Sequence, residues 1–238
     1  MRVVELFSCS GGSGYGLAQA GFEVMGVDID PQPRYAGHSF IQADVMKITP
    51  EWLRRNFDAA WASPPCQAFS EVTPGASRQN HLNLIPPTRK LLEASGLPYV
   101  IENVRAARLH LRDPVSLFGT MFDLHMVTRA GQKFVLSRER LFETNWPLVA
   151  PEDPGTSGFP IANVFGGHLR ARSGKFRTGG ATGRTVDFPG EDRPALARKL
   201  IGAPWMSLRE LSESVPPAYA RWIGAQLAAE VVRRRSAA

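Results

Sequence analysis

Ser63-Pro64-Pro65-Cys66-Gln67-Ala68-Phe69-Ser70 is the stretch from which the rest of the chain can be read. It follows a short apolar run, Phe57 to Ala62, that reads as a strand. Two successive prolines forbid a helix and a continuing ladder, so the chain must turn there. A turn at the carboxyl end of a strand is where open α/β sheets place their chemistry. A lone cysteine usually serves as a small buried hydrophobe. A rigid proline turn is a poor place to pack one and a good place to aim a thiolate.

Downstream, Pro98-Tyr99-Val100-Ile101-Glu102-Asn103-Val104 repeats the pattern, with an apolar run ending in an acid 36 positions beyond Cys66. A nucleophile and an acid at two strand ends could face one pocket. Upstream, Arg2 to Phe7 reads as a strand, Ser8 to Gly16 as a glycine- and serine-rich loop, and Leu17 to Ala20 as a helix stopped by Gly21. Glycines admit a ligand close to the backbone, and a helix start offers unpaired N–H groups. Phe22 to Ile29 is a second strand carrying Asp28 at its end, where Rossmann-like sites hold ribose hydroxyls. Phe40 to Asp44 is a third strand, and Trp52 to Phe57 and Pro87 to Ala94 read as helices. Phe134 to Phe142 reads as one strand, with Arg138 and Arg140 at period two and so on one side.

From Pro151 the composition changes. Positions 155 to 186 hold eight glycines and no acid, against Arg170, Arg172, Lys175, Arg177 and Arg184. The stretch reads as irregular, exposed and basic, a segment suited to phosphates. Helices follow over Asp192 to Ile201, Leu208 to Ser212 and Ala218 to Val232, and Arg233-Arg234-Arg235 reads as a frayed, solvated tail. The 238 residues carry a net charge of +6 and are 43% hydrophobic, enough for a real core and compatible with a nucleic-acid partner. Two cysteines give neither a disulfide framework nor a structural zinc site, and no metal is expected. Met1-Arg2-Val3 leads straight into a strand, so a signal peptide is not expected. No apolar run reaches the roughly 18 residues of a membrane span. A cytoplasmic setting is expected.

Four blocks, taken together and in order, resemble the cytosine-C5 DNA methyltransferases: Glu5-Leu6-Phe7-Ser8-Cys9-Ser10-Gly11-Gly12, Pro65-Cys66-Gln67, Glu102-Asn103-Val104 and Ser137-Arg138-Glu139-Arg140-Leu141-Phe142. A weaker fifth lies at Ser214-Val215-Pro216-Pro217. The resemblance implies S-adenosylmethionine as methyl donor, held by Phe7, Ser10, Gly11, Gly12, Asp28, Ile29, Asp44, Pro65, Ser214 and Val215. It implies Cys66 as the nucleophile at C6 of cytosine, Glu102 at N3, Arg140 at O2 and Arg138 supporting the pocket. It implies that the target base is flipped out of double-stranded DNA, with Gln67, Ser70, Arg170, Arg172, Lys175 and Arg177 touching the duplex. Three blocks depart from the family's pattern: Cys9-Ser10 in the first block, Leu136 where glutamine is usual, and Glu213 where asparagine is usual.

The expected fold is α/β, a Rossmann-like S-adenosylmethionine-dependent methyltransferase fold with a mostly parallel sheet and a small irregular recognition lobe. Residues 1–150 would bind cofactor and carry the chemistry, 151–190 would form the short basic recognition segment, and 191–238 would pack back as helices. A monomer is expected, and a companion restriction enzyme is left open. Two rival readings stand beside this one. One is a methyltransferase of free cytosine nucleotides or RNA; the other is a catalytically silent DNA-binding protein of the same fold.

Overall fold

The computed structural model describes residues 1–69, 81–172, 185–186, 188 and 190–237. Its frame is a seven-stranded sheet. The strands are β1 (Arg2–Leu6), β2 (Glu23–Asp28), β3 (Ser39–Gln42), β4 (Ala59–Ala62), β5 (Tyr99–Val104), β6 (Val115–Leu117) and, after two strands that go elsewhere, β9 (Arg140–Thr144). The order is β3-β2-β1-β4-β5-β9-β6, parallel from β3 to β5 and antiparallel at β9 and β6. The parallel strands thus lie beside one another with their carboxyl ends on one edge. The turn carrying Cys66 leaves β4 at that edge.

The centre of this sheet is buried on both faces, so its strands are apolar without alternation. Val4, Leu6, Ala60, Ala62 and Ile101 face one core with Leu53 of α2 (Pro50–Asn56) and Leu92 of α3 (Ile85–Ser95). Val3, Ala59, Trp61 and Val100 face the other, with Leu17 of α1 (Gly12–Gln19) and Tyr219, Ile223 and Leu227 of a 21-residue C-terminal helix, Pro217–Ala237. Glycine is required where α1 meets the chain entering that helix: a Cβ on Gly12 would stand 2.5 Å from the Val215 carbonyl oxygen, and one on Gly16 2.2 Å from that of Pro217.

A second sheet has five strands in the order β12-β11-β10-β8-β7. They are β7 (His125–Val127), β8 (Lys133–Leu136), β10 (Ile161–Phe165), β11 (His168–Arg172) and β12 (Thr185–Val186). Its core gathers Phe134, Leu136, Ala162, Val164, Leu169 and Ala171 with Leu200 of α4 (Arg193–Ile201) and Leu211 of α5 (Leu208–Glu213). The C-terminal helix is α6.

The structure corrects four expectations. The segment 151–190 is not irregular throughout: Ala162, Val164, Leu169 and Ala171 are buried in alternation with more exposed residues, the period of a half-buried strand. Counting glycines and charges hid that period. The partition at 150 and 190 also shifts, because β7, β8, α4 and α5 pack with the second sheet and only α6 returns to the first. Phe134 to Phe142 is two strands in two sheets, joined by Ser137-Arg138-Glu139. Nor is Arg233-Arg234-Arg235 a frayed tail: it is helical, Arg233 and Arg234 pair with Glu230, and Arg235 pairs with Asp58.

Candidate active site

The proline turn leaves β4 with a short local closure, the Phe69 amide donating to the Cys66 carbonyl at 2.9 Å. Next to it, Asn103 Nδ2 donates to the Pro64 carbonyl at 2.8 Å, so the end of β5 fixes the turn that carries the cysteine. Phe69 stacks on His110, ring centroids 4.7 Å apart. Cys66 is half-buried and Gln67 is exposed.

Glu102, 6% exposed, lies beside Cys66 at the end of the neighbouring strand. Its Oε1 sits 3.1 Å from Arg140 Nε, and the Ser63 hydroxyl also bonds it. Burial raises the Glu102 carboxyl above the usual range; Arg140, then Ser63, then Arg138 oppose that rise. A cation such as Arg140 beside Cys66 would by itself lower the thiol's pKa. The thiol is instead raised, first by burial and then by Glu102, with Arg140 opposing. Burial and the acid outweigh the cation.

Arg138 and Arg140 do not share a strand face. Arg140 reaches Glu102, whereas Arg138 is occupied by main-chain carbonyls: Nη1 donates to Val164 (2.8 Å), Nη2 to Leu211 (3.1 Å), Ser212 (2.7 Å) and Ser214 (2.8 Å), and Nε to Ser214 (3.2 Å). The Tyr219 hydroxyl donates to the Arg138 carbonyl at 2.8 Å. Burial, and then Arg140, pull Arg138 down to about 9. Arg138 holds β10, α5 and the entry to α6 together.

The glycine-rich loop joins β1 to α1 on the same edge. Phe7 (φ 58°), Cys9 (φ 44°) and Gly11 (φ 77°) all take the left-handed region, a strained conformation for the two non-glycines and typical of functional loops. Asp28 locks the loop: its Oδ2 accepts from the Cys9 amide at 2.8 Å and its Oδ1 from the Asp30 amide at 3.0 Å. Each of its oxygens has a second lone pair beyond the one used in these bonds. Ile29 is 64% exposed at the strand end, and Asp44 caps the turn after β3 by accepting from the Met46 amide. Ser10, Gly11 and Gly12 are buried, with Gly12 against Ser214 and Val215, so the first and last sequence blocks meet. Pro65 is half-buried beside Cys66.

The departures find places. Leu136 is fully buried in the second core and packs over Gly119. Glu213 is exposed; burial raises the Cys9 and Cys66 thiols most, and the charge of Glu213 adds to both. Of the residues expected to touch nucleic acid, Arg170 lies on β11 with its guanidinium over the Phe165 ring at 4.8 Å. It lines a cavity of about 520 Å³ with His168, Arg193 and Leu208. Arg172 is described as backbone only, and Ser70, Lys175 and Arg177 lie outside the described residues. Sequence reasoning missed Ser63 and Asn103, although both stand within the stretches that carry the site. It also missed Glu5, whose burial shows in the structure: Oε1 accepts from the Gly14 amide at 2.9 Å and Oε2 from the Tyr35 hydroxyl at 2.7 Å. No helix among the described residues is long and apolar enough to cross a membrane.

Comparisons with known proteins bear on the fold that carries these residues. Residues 1–115 match the family model for C-5 cytosine-specific DNA methylases. A search of curated proteins returns no match. Among solved structures, one described as a candidate DNA modification methyltransferase encoded within a prophage (E. coli) aligns with a TM-score of 0.58 at 19% identity, over 98% of this chain and 99% of that one. The Entamoeba histolytica methyltransferase EhMeth aligns at 0.57 and 11% identity, over 97% and 98% of the two chains. The S. pombe Dnmt2 methyltransferase aligns at 0.55 and 14%, over 97% and 99%. These likenesses carry the fold across both sheets, and the family match covers the first three of the four ordered blocks.

Proposed function

We propose, on the premise that this chain is a relative of the C-5 cytosine-specific DNA methylases, that it transfers a methyl group from S-adenosylmethionine to C5 of cytosine in double-stranded DNA. The observation that carries the reading is one cluster: Cys66 on the proline turn, Glu102 on the adjacent strand and Arg140 at 3.1 Å from that acid. The donor would lie along the edge formed by Phe7, Ser10 to Gly12, Asp28, Ile29, Asp44, Pro65, Ser214 and Val215. The strained loop, the spare lone pairs of Asp28 and the exposed Ile29 fit a nucleoside with an amino-acid tail. When bound, S-adenosylmethionine supplies a methyl group on a positively charged sulfur.

C5 of cytosine is a poor nucleophile. Bonding the Cys66 sulfur to C6 makes C5 enamine-like. Glu102, raised by burial, is suited to hold a proton at N3, which draws electrons from the ring as sulfur adds. Arg140, with further donors beyond the one on Glu102, would bond O2, and Arg138 would keep the pocket wall in place. Cys66 must lose its proton for attack, and an N3-protonated base beside it favours that. After methyl transfer a base removes the C5 proton, the C5–C6 double bond reforms and Cys66 leaves. The base must leave the stack to reach Cys66. Gln67, exposed on the turn, and the basic chain around Arg170 would meet the duplex. The half-buried, sheet-borne position of Arg170 supports a recognition surface rather than free-nucleotide binding.

The test supplies labelled S-adenosylmethionine with duplex DNA, duplex RNA and free cytidine nucleotides, and analyses the digested products. 5-Methyldeoxycytidine from DNA alone is the expected result. Label in RNA or nucleotides instead would overturn the substrate, and duplex binding without label would return the chain to a silent binder.

A further inference from the structure

Glu210 lies outside all the sequence blocks, on α5, which packs with the second sheet. It begins as an ordinary capping-box acid: Oε2 accepts from the Ser207 amide at 2.7 Å and from its hydroxyl at 2.6 Å. A capping box needs no more. Yet Glu210 Oε1 leaves the helix and accepts from the Ser10 hydroxyl, 200 positions away in sequence, at 2.6 Å. Arg34, from the chain after β2, closes on Oε2 at 2.6 Å. The Ser10 carbonyl is held from the same side, accepting from Trp205 Nε1 at 2.9 Å. Trp205 in turn stacks on Tyr15 of α1 at 4.7 Å. The hydroxyl and the carbonyl of Ser10 are thus both held by the segment 205–210. Ser10 is 2% exposed and stands between Cys9, whose amide is fixed by Asp28, and Gly11, which turns the chain into α1. Partial burial alone would raise the Glu210 carboxyl, but Ser10, Ser207 and Arg34 together hold it down at about 2.

The far end of the same short helix is bonded to the second sheet. Ser212 Oγ accepts from the Gly167 amide in the β10–β11 turn at 2.8 Å, and Arg138 bonds the carbonyls of Leu211 and Ser212. The cofactor loop is therefore fixed on one side by Asp28 from the first sheet and on the other by a strut rooted in the second.

We propose that Glu210 is a positioning residue for the methyl donor, acting through Ser10 and Arg34 to fix the shape of the glycine-rich loop. This rests on the reading of that loop as the S-adenosylmethionine site. Removing the negative charge breaks the Arg34 pair and weakens the bond from Ser10, so the loop must be ordered at the expense of donor binding. The residue touches neither donor nor base, so turnover at saturating donor stays as in the wild type.

The probe is S-adenosylhomocysteine, titrated by calorimetry into the full chain. Glu210→Gln should weaken its affinity about tenfold, the scale of a lost hydrogen bond to a charged group. The KM for S-adenosylmethionine should rise by a similar factor with kcat unchanged. Glu230→Gln is the structural control, because it breaks an ion pair of like geometry with Arg233 and Arg234 on α6. It should lower the Tm and leave the affinity alone. Ser10→Ala, which removes only one hydroxyl, serves if Glu210→Gln does not fold, and its loss should not add to that of Glu210→Gln when both fold. Unchanged affinity in Glu210→Gln or Ser10→Ala overturns the proposal, as does an equal loss in Glu230→Gln. A wild-type chain that binds no probe sinks the reading of the loop itself, and this proposal with it.

Discussion

The seven-stranded sheet holds Glu102 and Arg140 paired and buried at one edge, whereas the five-stranded sheet carries Arg170 nearer the surface. Glu102 and Arg140 have side chains about one-tenth exposed or less, and each is the other's partner. Arg170 is half-buried and lies over a phenylalanine ring. Burial makes a charge expensive unless it is paired, and it fixes a paired charge in position. Surface placement leaves a charge cheap and able to meet many phosphates. On the proposed function the first sheet would do the chemistry and the second would grip, and side chains of either sheet away from Arg138 and the Glu210 strut should affect one task without the other.

Cys66 is where that division should break most sharply. Cys66→Ser should abolish methyl transfer while S-adenosylhomocysteine and duplex DNA still bind, since a hydroxyl ionises far less readily than a thiol. Duplex DNA carrying 5-fluorocytosine should trap the wild type as a covalent adduct, because fluorine cannot leave C5 as a proton does. A slower band on denaturing electrophoresis for Cys66→Ser would remove Cys66 from the reaction. Cys9→Ser is the internal check and should still form the adduct. Glu102→Gln comes next. It should slow transfer by roughly 10²–10⁴-fold, the scale of a lost acid–base group. DNA affinity should stay within the error of a filter-binding assay, and a matching fall in affinity would blur the two roles.

Arg138 stands at the junction and should obey neither rule. Arg138→Met keeps much of the volume but removes the guanidinium donors from the carbonyls of Val164, Leu211, Ser212 and Ser214. A loss of about 3–5 kcal/mol in unfolding free energy is expected, as for breaking a buried charged network. A stable variant lacking activity would instead mark Arg138 as a group that touches the base. Glu5 tests burial alone. Desolvation lifts its carboxyl from 4.5 to about 7 against the bonds from Tyr35 and Gly14. Between those values the folded chain holds a proton that the unfolded chain has lost, so stability falls as pH rises through that window. The fall attributable to Glu5 is about 3 kcal/mol, at roughly 1.36 kcal/mol per unit. Glu5→Gln should flatten the pH dependence of the Tm there, and an unchanged slope would mean that the carboxyl ionises freely.

The same contrast explains what could be read from the sequence. β1, β2, β4 and β5 announce themselves because strands buried on both faces are short apolar runs, and the prolines after Ala62 mark where one ends. Cys66, Glu102 and the glycine loop sit at those ends, so the site follows from strand and turn signals. β10 and β11 carry their signal in two short alternations, and the glycines of the same stretch outweighed it. Arg138 and Arg140 are two positions apart, and only the three-dimensional path shows the chain crossing between sheets there. Glu210 was beyond reach, because its partner Ser10 is adjacent only through the packing of α5.

The smallest effect is expected on the second sheet, and it defines grip. Each phosphate that a protein ceases to neutralise lowers the slope of log affinity against log salt by roughly 0.9. Arg170→Gln should lower it by about that much and leave kcat at saturating DNA unchanged, since Arg170 stands on β11, apart from the Cys66 turn. Arg172 and Lys175, changed with it, should each lower the slope again if the whole basic stretch tracks the backbone. The control is Arg235→Gln. Arg235 pairs with Asp58, just before β4, so it lies at the opposite end of that strand from the Cys66 turn. It carries the same charge, so a general effect of net charge would move both variants alike, whereas direct phosphate binding moves only Arg170→Gln. Binding of one duplex measured across a salt series, for wild type and both variants, decides the matter. Equal slopes in all three would mean that β11 is a solvated surface, and that the first sheet binds as well as reacts.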